Sequence, residues 1–268
     1  MNSSEIGPSL INPVDILSYK ETWTIAKPFH HLVIDSFLTE SAISDIVAEF
    51  PSFDDKLWYV YDNPIEIKKA LNSWDRFPKT IYTLFWYLNS PEFVSQLEVL
   101  TDCKLFPDPG LNGGGLHSHR SGGKLNTHLD YSLHPKLRLE RRLNLLVYVT
   151  PNWEESWGGH LGLWDHDEAN EGPKNLVTSI MPKFNRAVLF DTTQNSWHGL
   201  PEPITCPPNV TRNSLAIYYL CEPRQAAVDR SRALFVPHKE QSNDEKVLEL
   251  IKKRSGVNTS ASVYVDKK

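Results

Sequence analysis

Two stretches of this chain, Asn144–Val149 and Arg212–Tyr219, alternate so regularly that they limit the fold more than any other feature does. Successive side chains of a β-strand point to opposite faces. Asn144, Leu146 and Tyr148 therefore share one face, and Leu145, Val147 and Val149 the other. In the second stretch Arg212, Ser214, Ala216 and Tyr218 oppose Leu215, Ile217 and Tyr219. A strand with one wholly apolar face and one mixed face suits an antiparallel sheet that packs on one side and lines a pocket on the other. Around both stretches, from Lys104 to Glu222, short apolar runs are divided by Gly, Pro and Asn, among them Gly158–Trp164 and Arg186–Asp191. That texture predicts a β-sandwich or barrel.

The flanks read differently. Phe29–Asp35 is predicted as a first strand. Thr39 caps a helix whose apolar positions Ala42, Ile43, Ile46, Val47 and Phe50 end before Pro51. Trp58, Tyr59 and Tyr61 fall in an irregular or strand segment closed by an Asn63-Pro64 turn. Thr80–Leu88 reads as a helix, and Ser90-Pro91-Glu92 starts another that carries Phe93, Val94, Leu97 and Leu100. The first hundred residues are thus expected to be mostly helical. Beyond Cys221-Glu222-Pro223 the β-pattern stops, and Ser242–Glu245 has the form of a capping box before Val247, Leu248, Leu250 and Ile251, with Gly256 past the end. The final dozen residues offer nothing to pack. The expected organisation is an N-terminal helical support region (1–103), a β-core (104–222) and a C-terminal extension with one helix (223–268), all in one structural unit.

At 268 residues, with 40% apolar content and eight Trp, the chain can build a sizeable core without staples. Its net charge of −5 and scattered basic residues give no nucleic-acid footprint. Three cysteines without zinc-type spacing, no membrane-length apolar run and an N-terminus lacking a basic, then apolar, leader make a reducing cytoplasm the expected setting.

Chemistry enters at His128-Leu129-Asp130. The i, i+2 spacing lets an imidazole and a carboxylate reach one point from a single short strand. His198, 70 positions on, can complete a two-His, one-carboxylate set, which leaves half of an octahedral metal's coordination sphere open, as in non-haem Fe(II) oxygenases. Arg212 follows 14 positions later, with Ser214 on the same strand face. A guanidinium beside a hydroxyl suits the far carboxylate of a dicarboxylic acid. The same three donors would also serve zinc in a hydrolase, or a metal in a non-catalytic cupin-like binding module. Zinc hydrolysis would leave Arg212, Ser214 and Tyr148 without a role and lacks a general base at helical spacing.

Other residues are read more plainly. His117 and His119, at i, i+2, are expected to put one imidazole into the pocket rather than form a second metal site. His160 and His166 follow the Gly-Gly turn as surface or supporting residues. Lys136, Arg138, Arg141 and Arg142 form a basic run, expected to be a solvated loop, with a clamp for an anionic substrate as the alternative. Trp58, Tyr59 and Tyr61 are either core or cover for the pocket mouth. Cys103, Cys206 and Cys221 are expected as free thiols.

Taken together, His128-Leu129-Asp130, the block Arg142–Trp153, Gly158-Gly159-His160-Leu161, His198 and Arg212-x-Ser214 resemble the Fe(II)- and 2-oxoglutarate-dependent oxygenases, and within them the prolyl 4-hydroxylase-like branch. The resemblance spans about residues 113–222. It implies a double-stranded β-helix, or jelly roll, backed by N-terminal helices. It further implies Fe(II) held by His128, Asp130 and His198, and 2-oxoglutarate held through its C5 carboxylate by Arg212, with Tyr148 and Ser214 donating and Asn144 lining the pocket. O2 is the second cosubstrate and ascorbate an optional addition. The implied reaction is hydroxylation of an unactivated C–H bond with decarboxylation of 2-oxoglutarate to succinate and CO2. A small polar metabolite or sugar is the preferred substrate, since nothing in the chain supplies a peptide-binding module; peptidyl proline is the alternative.

Overall fold

In the computed structural model, which describes residues 9–225, 227–230 and 232–256, the two alternating stretches lie side by side. The strands are β1 (His31–Ile34), β2 (Tyr59–Asn63), β3 (Glu66–Leu71), β4 (Phe106–Pro107), β5 (Gly115–His119), β6 (Lys124–Leu125) and β7 (His128–Leu129). They continue as β8 (Glu140–Tyr148), β9 (Leu161–Asp167), β10 (Gly172–Ile180), β11 (Arg186–Asp191), β12 (Trp197–Gly199), β13 (Arg212–Cys221) and β14 (Leu234–Phe235). The helices are α1 (Lys20–Ile25), α2 (Glu40–Glu49), α3 (Lys79–Leu88), α4 (Pro91–Thr101) and α5 (Glu245–Ser255).

A nine-stranded antiparallel sheet runs β1-β11-β8-β13-β5-β3-β2, with β4 on β13 and β6 on β3; a five-stranded sheet runs β10-β9-β12-β7-β14. The expected double-stranded β-helix with helical backing is what the chain forms.

Register makes the two faces work. Across β8 and β13, Leu143 opposes Tyr219, Leu145 opposes Ile217 and Val147 opposes Leu215. These residues share one buried cluster with Ile43 and Ile46 of α2, Leu84 and Leu88 of α3, and Phe93 and Leu97 of α4. Each such side chain contributes about 1.5–3 kcal/mol over an exposed one, so this layer is where the helices gain their stability. Tyr219 adds a tie by donating from its hydroxyl to the Leu88 carbonyl at 2.9 Å. On the opposite face Asn144 pairs with Tyr218, Leu146 with Ala216 and Tyr148 with Ser214, leaving the mixed side chains to a pocket between the sheets.

The helix starts follow their caps. Thr39 Oγ1 accepts from Ala42 N at 3.2 Å, and Ser90 Oγ from Phe93 N at 3.3 Å. The C-terminal helix begins where expected, but its cap is Asp244, whose carboxylate accepts from Lys246 N and Val247 N. Ser242 is engaged elsewhere, donating to Lys239 O at 2.8 Å to close the preceding 3-10 turn. Residues 257–268, expected to have nothing to pack against, lie outside the described residues. Among the described residues no helix is long and apolar enough to cross a membrane.

The N-terminal region supplies β1 where a first strand was expected and β2 where a strand was one of two readings; the addition to the mostly helical expectation is β3, which makes a β2–β3 hairpin. The hairpin is hidden in the sequence by a charged inner face: Glu66 and Lys68 of β3 turn into the pocket, so the segment lacks apolar alternation. Glu66 is 3% exposed and is shared by two cations, Lys68 Nζ at 2.9 Å and Arg254 Nη1 of α5 at 2.5 Å. This ties α5 to the sheet. Burial by itself would raise the Glu66 carboxyl, but the two cations reverse that and hold it at about 2, below its ordinary 4.5. A depressed carboxyl stabilises the fold fully above the unfolded value and loses that contribution as pH falls from about 4.5 towards 2. Glu66→Gln, which strands two cations, is expected to cost about 3–5 kcal/mol at neutral pH. Urea unfolding across pH should show that deficit shrinking below pH 4.5.

Candidate active site

Antiparallel pairing of β7 with β12 sets His128 directly opposite His198, with ring centroids 4.3 Å apart. Asp130 follows one residue past the end of β7 and turns to the same point. Its Oδ1 lies 3.8 Å from His128 Nε2 and its Oδ2 3.6 Å from His198 Nε2. Each imidazole is oriented by a backbone carbonyl: His128 Nδ1 lies 2.9 Å from Asn126 O and His198 Nδ1 2.9 Å from Ser196 O. A carbonyl can only accept, so each Nδ1 carries a proton, and each Nε2 faces inwards, where a neutral ring offers its lone pair to a metal.

All three side chains are buried. Burial, aided by His198, pushes the His128 imidazole down to about 3, so it is neutral. Burial works against the Asp130 carboxylate, but the Arg141 guanidinium at 2.8 Å holds it well below the usual carboxylate range. Asp130 Oδ2 is buried with no hydrogen-bond partner. Two lone pairs and an unsatisfied carboxylate oxygen converging in a buried space repel one another unless a cation joins them. Among the described residues this is the one group of three or more His, Cys, Asp or Glu side chains so arranged, its donor atoms all lying within 4.8 Å of one another.

At another part of the same cavity sits Arg212, 5% exposed, on β13. Its Nε donates to Gly159 O at 2.7 Å, and its Cζ stands 4.9 Å over the Tyr148 ring. No carboxylate among the described residues pairs with it, so a charged guanidinium is buried without a counter-ion. The Tyr148 hydroxyl lies buried against it with no other partner. Ser214, opposite Tyr148 in register, and Asn144, whose Oδ1 is buried and unpartnered, complete this wall. The Gly-Gly pair is explained here as well. A Cβ on Gly159 would stand 2.9 Å from Arg212 Cδ, and its φ of +70° already favours glycine.

The basic run divides. Lys136 and Arg138 are exposed as expected, but Arg141 and Arg142 are buried on β8, which corrects the solvated-loop reading. Arg142 pairs with Asp191. Arg141 Nη1 holds Asp130 Oδ1 at 2.8 Å, its Nη2 donates to Asn112 O at 2.7 Å, and its guanidinium is sandwiched between the rings of Tyr131 and Tyr218 at 3.5 and 3.4 Å. It therefore works on a carboxylate of the triad and does not reach out as a rim clamp.

Both His117 and His119 line the cavity, where one was expected. His119 is 3% exposed with neither ring nitrogen partnered. Tyr59 and Tyr61 border the cavity, whereas Trp58 is core. His160 and His166 lie outside its lining; His166 Nδ1 accepts from Trp197 Nε1 at 3.0 Å, supporting the strand that carries His198. All three cysteines are free. The cavity, about 550 Å³, also takes Lys68 from β3 and Arg232, Phe235 and Arg254 from the C-terminal segment. Sequence reading assigned none of these four to the site.

Residues 114–220 match the model of the 2OG-Fe(II) oxygenase superfamily. Among curated proteins, the prolyl 3-hydroxylase OGFOD1 of Mus musculus is 35% identical over 65 residues, which is 24% of this chain and 12% of that protein. OGFOD1 of Xenopus laevis is 34% identical over 65 residues, with the same coverage. The match thus spans only a small part of those relatives. Among solved structures, the chain resembles a prolyl hydroxylase from Trichoplax adhaerens, solved with a hypoxia inducible factor oxygen degradation domain peptide fragment. The TM-score is 0.51 at 17% identity, over 77% of this chain and 87% of that one. A prolyl 4-hydroxylase structure from Phytophthora capsici gives 0.50 at 19%, over 93% and 79%. At these identities the likeness is one of fold.

Proposed function

We propose that this chain, whose residues 114–220 match the model of the 2OG-Fe(II) oxygenase superfamily, is a dioxygenase hydroxylating an unactivated C–H bond. One observation carries the reading: a buried, counter-ion-free Arg212 and a converging His128, Asp130, His198 set face the same cavity. The donor set fits Fe(II), with two imidazoles and one carboxylate holding one side of an octahedral ion. The Arg212 end fits the C5 carboxylate of 2-oxoglutarate, with Tyr148 and Ser214 supplying hydroxyl donors and Asn144 a nearby amide. When bound, Fe(II) with 2-oxoglutarate and O2 supplies oxidative decarboxylation to succinate and CO2, coupled to insertion of oxygen into a C–H bond.

The chain's own residues provide placement. Carbonyls of Asn126 and Ser196 fix the imidazoles, Arg141 fixes Asp130, and the walls of β5, β8 and β13 keep bulk water from the reacting C–H bond. Residues 104–222 act as the catalytic core in this reading, supported by 1–103 and 223–268. Arg141→Leu should weaken Fe(II) or Mn(II) binding by about 10- to 100-fold, as loss of a group orienting a metal ligand commonly does. A metal titration by calorimetry checks this; unchanged affinity would leave Arg141 with a packing role only.

For the substrate, a cavity of about 550 Å³ suits a small polar molecule beside the cosubstrate. Peptidyl proline is the second reading, favoured by the prolyl hydroxylase names of the relatives. The deciding experiment supplies Fe(II) or Zn(II), 2-oxoglutarate, O2 and ascorbate with pools of metabolites and proline peptides. Succinate formation with Fe(II) alone, and a product heavier by one oxygen atom, supports the reading; turnover with zinc and no succinate would replace it with hydrolysis.

A further inference from the structure

The cavity is strongly cationic in a chain of net charge −5. Lys68, Arg141, Arg212, Arg232 and Arg254 line it, against the carboxylates of Glu66 and Asp130: five cations to two anions, a surplus of three. Fe(II) and the 2-oxoglutarate dianion would cancel each other, so the surplus survives the cosubstrates. Much of it lies on the wall built by β3 and the C-terminal segment. There Glu66 is already shared between Lys68 and Arg254, and Arg232 has no hydrogen bond or ion pair among the described residues. Its Nε is shut away from solvent without a partner. An arginine whose purpose was solubility would not have that atom buried.

The wall adjoins the reacting centre. Phe235 stacks on the His128 ring at 4.9 Å between centroids, and Arg254 Cζ stands 4.7 Å over the same Phe235. On the other side β5 runs between β3, which carries Lys68, and β13, with its His119 in register with Arg212 and its His117 with Ala70 and Ser214. Arg212, from β13, and Arg232, from the segment just before β14, thus give one cavity two anion-accepting groups, and the first is occupied in the function proposed above.

We propose that the substrate is a small acid, bearing a carboxylate, phosphate or sulfate group that Arg232 binds on the wall of Lys68 and Arg254, with its reacting carbon held towards His128, Asp130 and His198. The cationic wall also concentrates anions at the mouth and discriminates against neutral analogues, which leave its charges unpaired. This rests on the oxygenase reading, and the test separates the two.

Binding is measured by calorimetry on the full chain with Mn(II) in place of Fe(II), first with 2-oxoglutarate alone. Failure of 2-oxoglutarate to bind would sink the oxygenase reading itself. With 2-oxoglutarate bound, matched pairs follow: glucuronate and glucose 6-phosphate against glucose, and N-acetylproline against its amide. The carboxylate and phosphate arms distinguish the acid group. At least one acid is expected to bind with a Kd of roughly 1 mM or tighter, and its neutral partner at least about tenfold more weakly. Arg232→Ala should weaken that acid about 10- to 100-fold, and Arg232→Lys should restore part of the loss. Circular dichroism and the urea midpoint verify that both variants fold. The inference is overturned if no acid binds, if neutral partners bind equally well, if Arg232→Ala leaves acid affinity intact, or if it weakens 2-oxoglutarate instead.

Discussion

Alanine at His128, Asp130 or His198 is expected to abolish Fe(II)-dependent succinate formation and to reduce metal binding to background. The three positions are not interchangeable supports. His128 and His198 face each other across paired strands with their Nδ1 protons committed to backbone carbonyls, so losing either leaves two donors that cannot enclose an ion. Asp130 supplies the only charge among the three, and Asp130→Asn should fail nearly as completely as Asp130→Ala because an amide oxygen offers no compensating charge. Asp130→Ala strands the buried Arg141 guanidinium, which keeps the Asn112 carbonyl and two flanking rings, and is expected to cost up to about 3–5 kcal/mol, so circular dichroism verifies that each variant is folded before it is assayed. Metal titration and 2-oxoglutarate turnover are measured on each. Wild-type turnover in both Asp130→Ala and His198→Ala would remove the metal assignment.

What could be read from the sequence depended on whether a residue obeyed its local period. Asn144–Val149 and Arg212–Tyr219 do, and their faces, their helical backing and the pocket side all followed from alternation alone. His128 and Asp130 were visible because two-residue spacing holds even where the strand stops after Leu129. Arg141 was not. Strict alternation from Asn144 would place Arg142 in the pocket, but β8 advances two residues, from Leu143 to Arg141, for one step from Tyr219 to Leu220 on β13. That bulge exchanges the faces, sending Arg141 to Asp130 and Arg142 to Asp191. Bulges of this sort leave no periodic signal. Lys68 was hidden by the polar inner face of β3, and Arg232, Phe235 and Arg254 by distance: the β-pattern was expected to stop at Cys221, but the two-residue β14, too short to show a period, pairs Phe235 with His128 beyond it. Asp244 was missed as a cap because Ser242 fits the same rule two residues earlier and is recruited by a different turn.

Arg212→Ala should raise the Michaelis constant for 2-oxoglutarate by about one to two orders of magnitude, since hydrogen bonds to a charged group contribute roughly 1.5–3 kcal/mol. The geometry makes the effect specific. Arg212 Nε is already spent on Gly159 O, so the terminal nitrogens are left as a planar fork, braced by the Tyr148 ring beneath and pre-set for two parallel bonds to a carboxylate. Lysine keeps the charge but neither the fork nor the tie to Gly159, so Arg212→Lys should fall between alanine and wild type. Gly159→Ala tests the brace without touching any group that meets the cosubstrate. Its Cβ would stand 2.9 Å from Arg212 Cδ and 3.2 Å from Trp153 Cζ2, at a backbone φ of +70°, so the guanidinium must move. The Gly159 variant should therefore weaken 2-oxoglutarate in the same direction as Arg212→Ala while leaving Mn(II) affinity unaltered, because the metal donors sit on β7, β12 and the residue after β7. Equal 2-oxoglutarate affinity in wild type and Arg212→Ala would move the anchor elsewhere in the cavity, and Arg232 would be the first place to look for it.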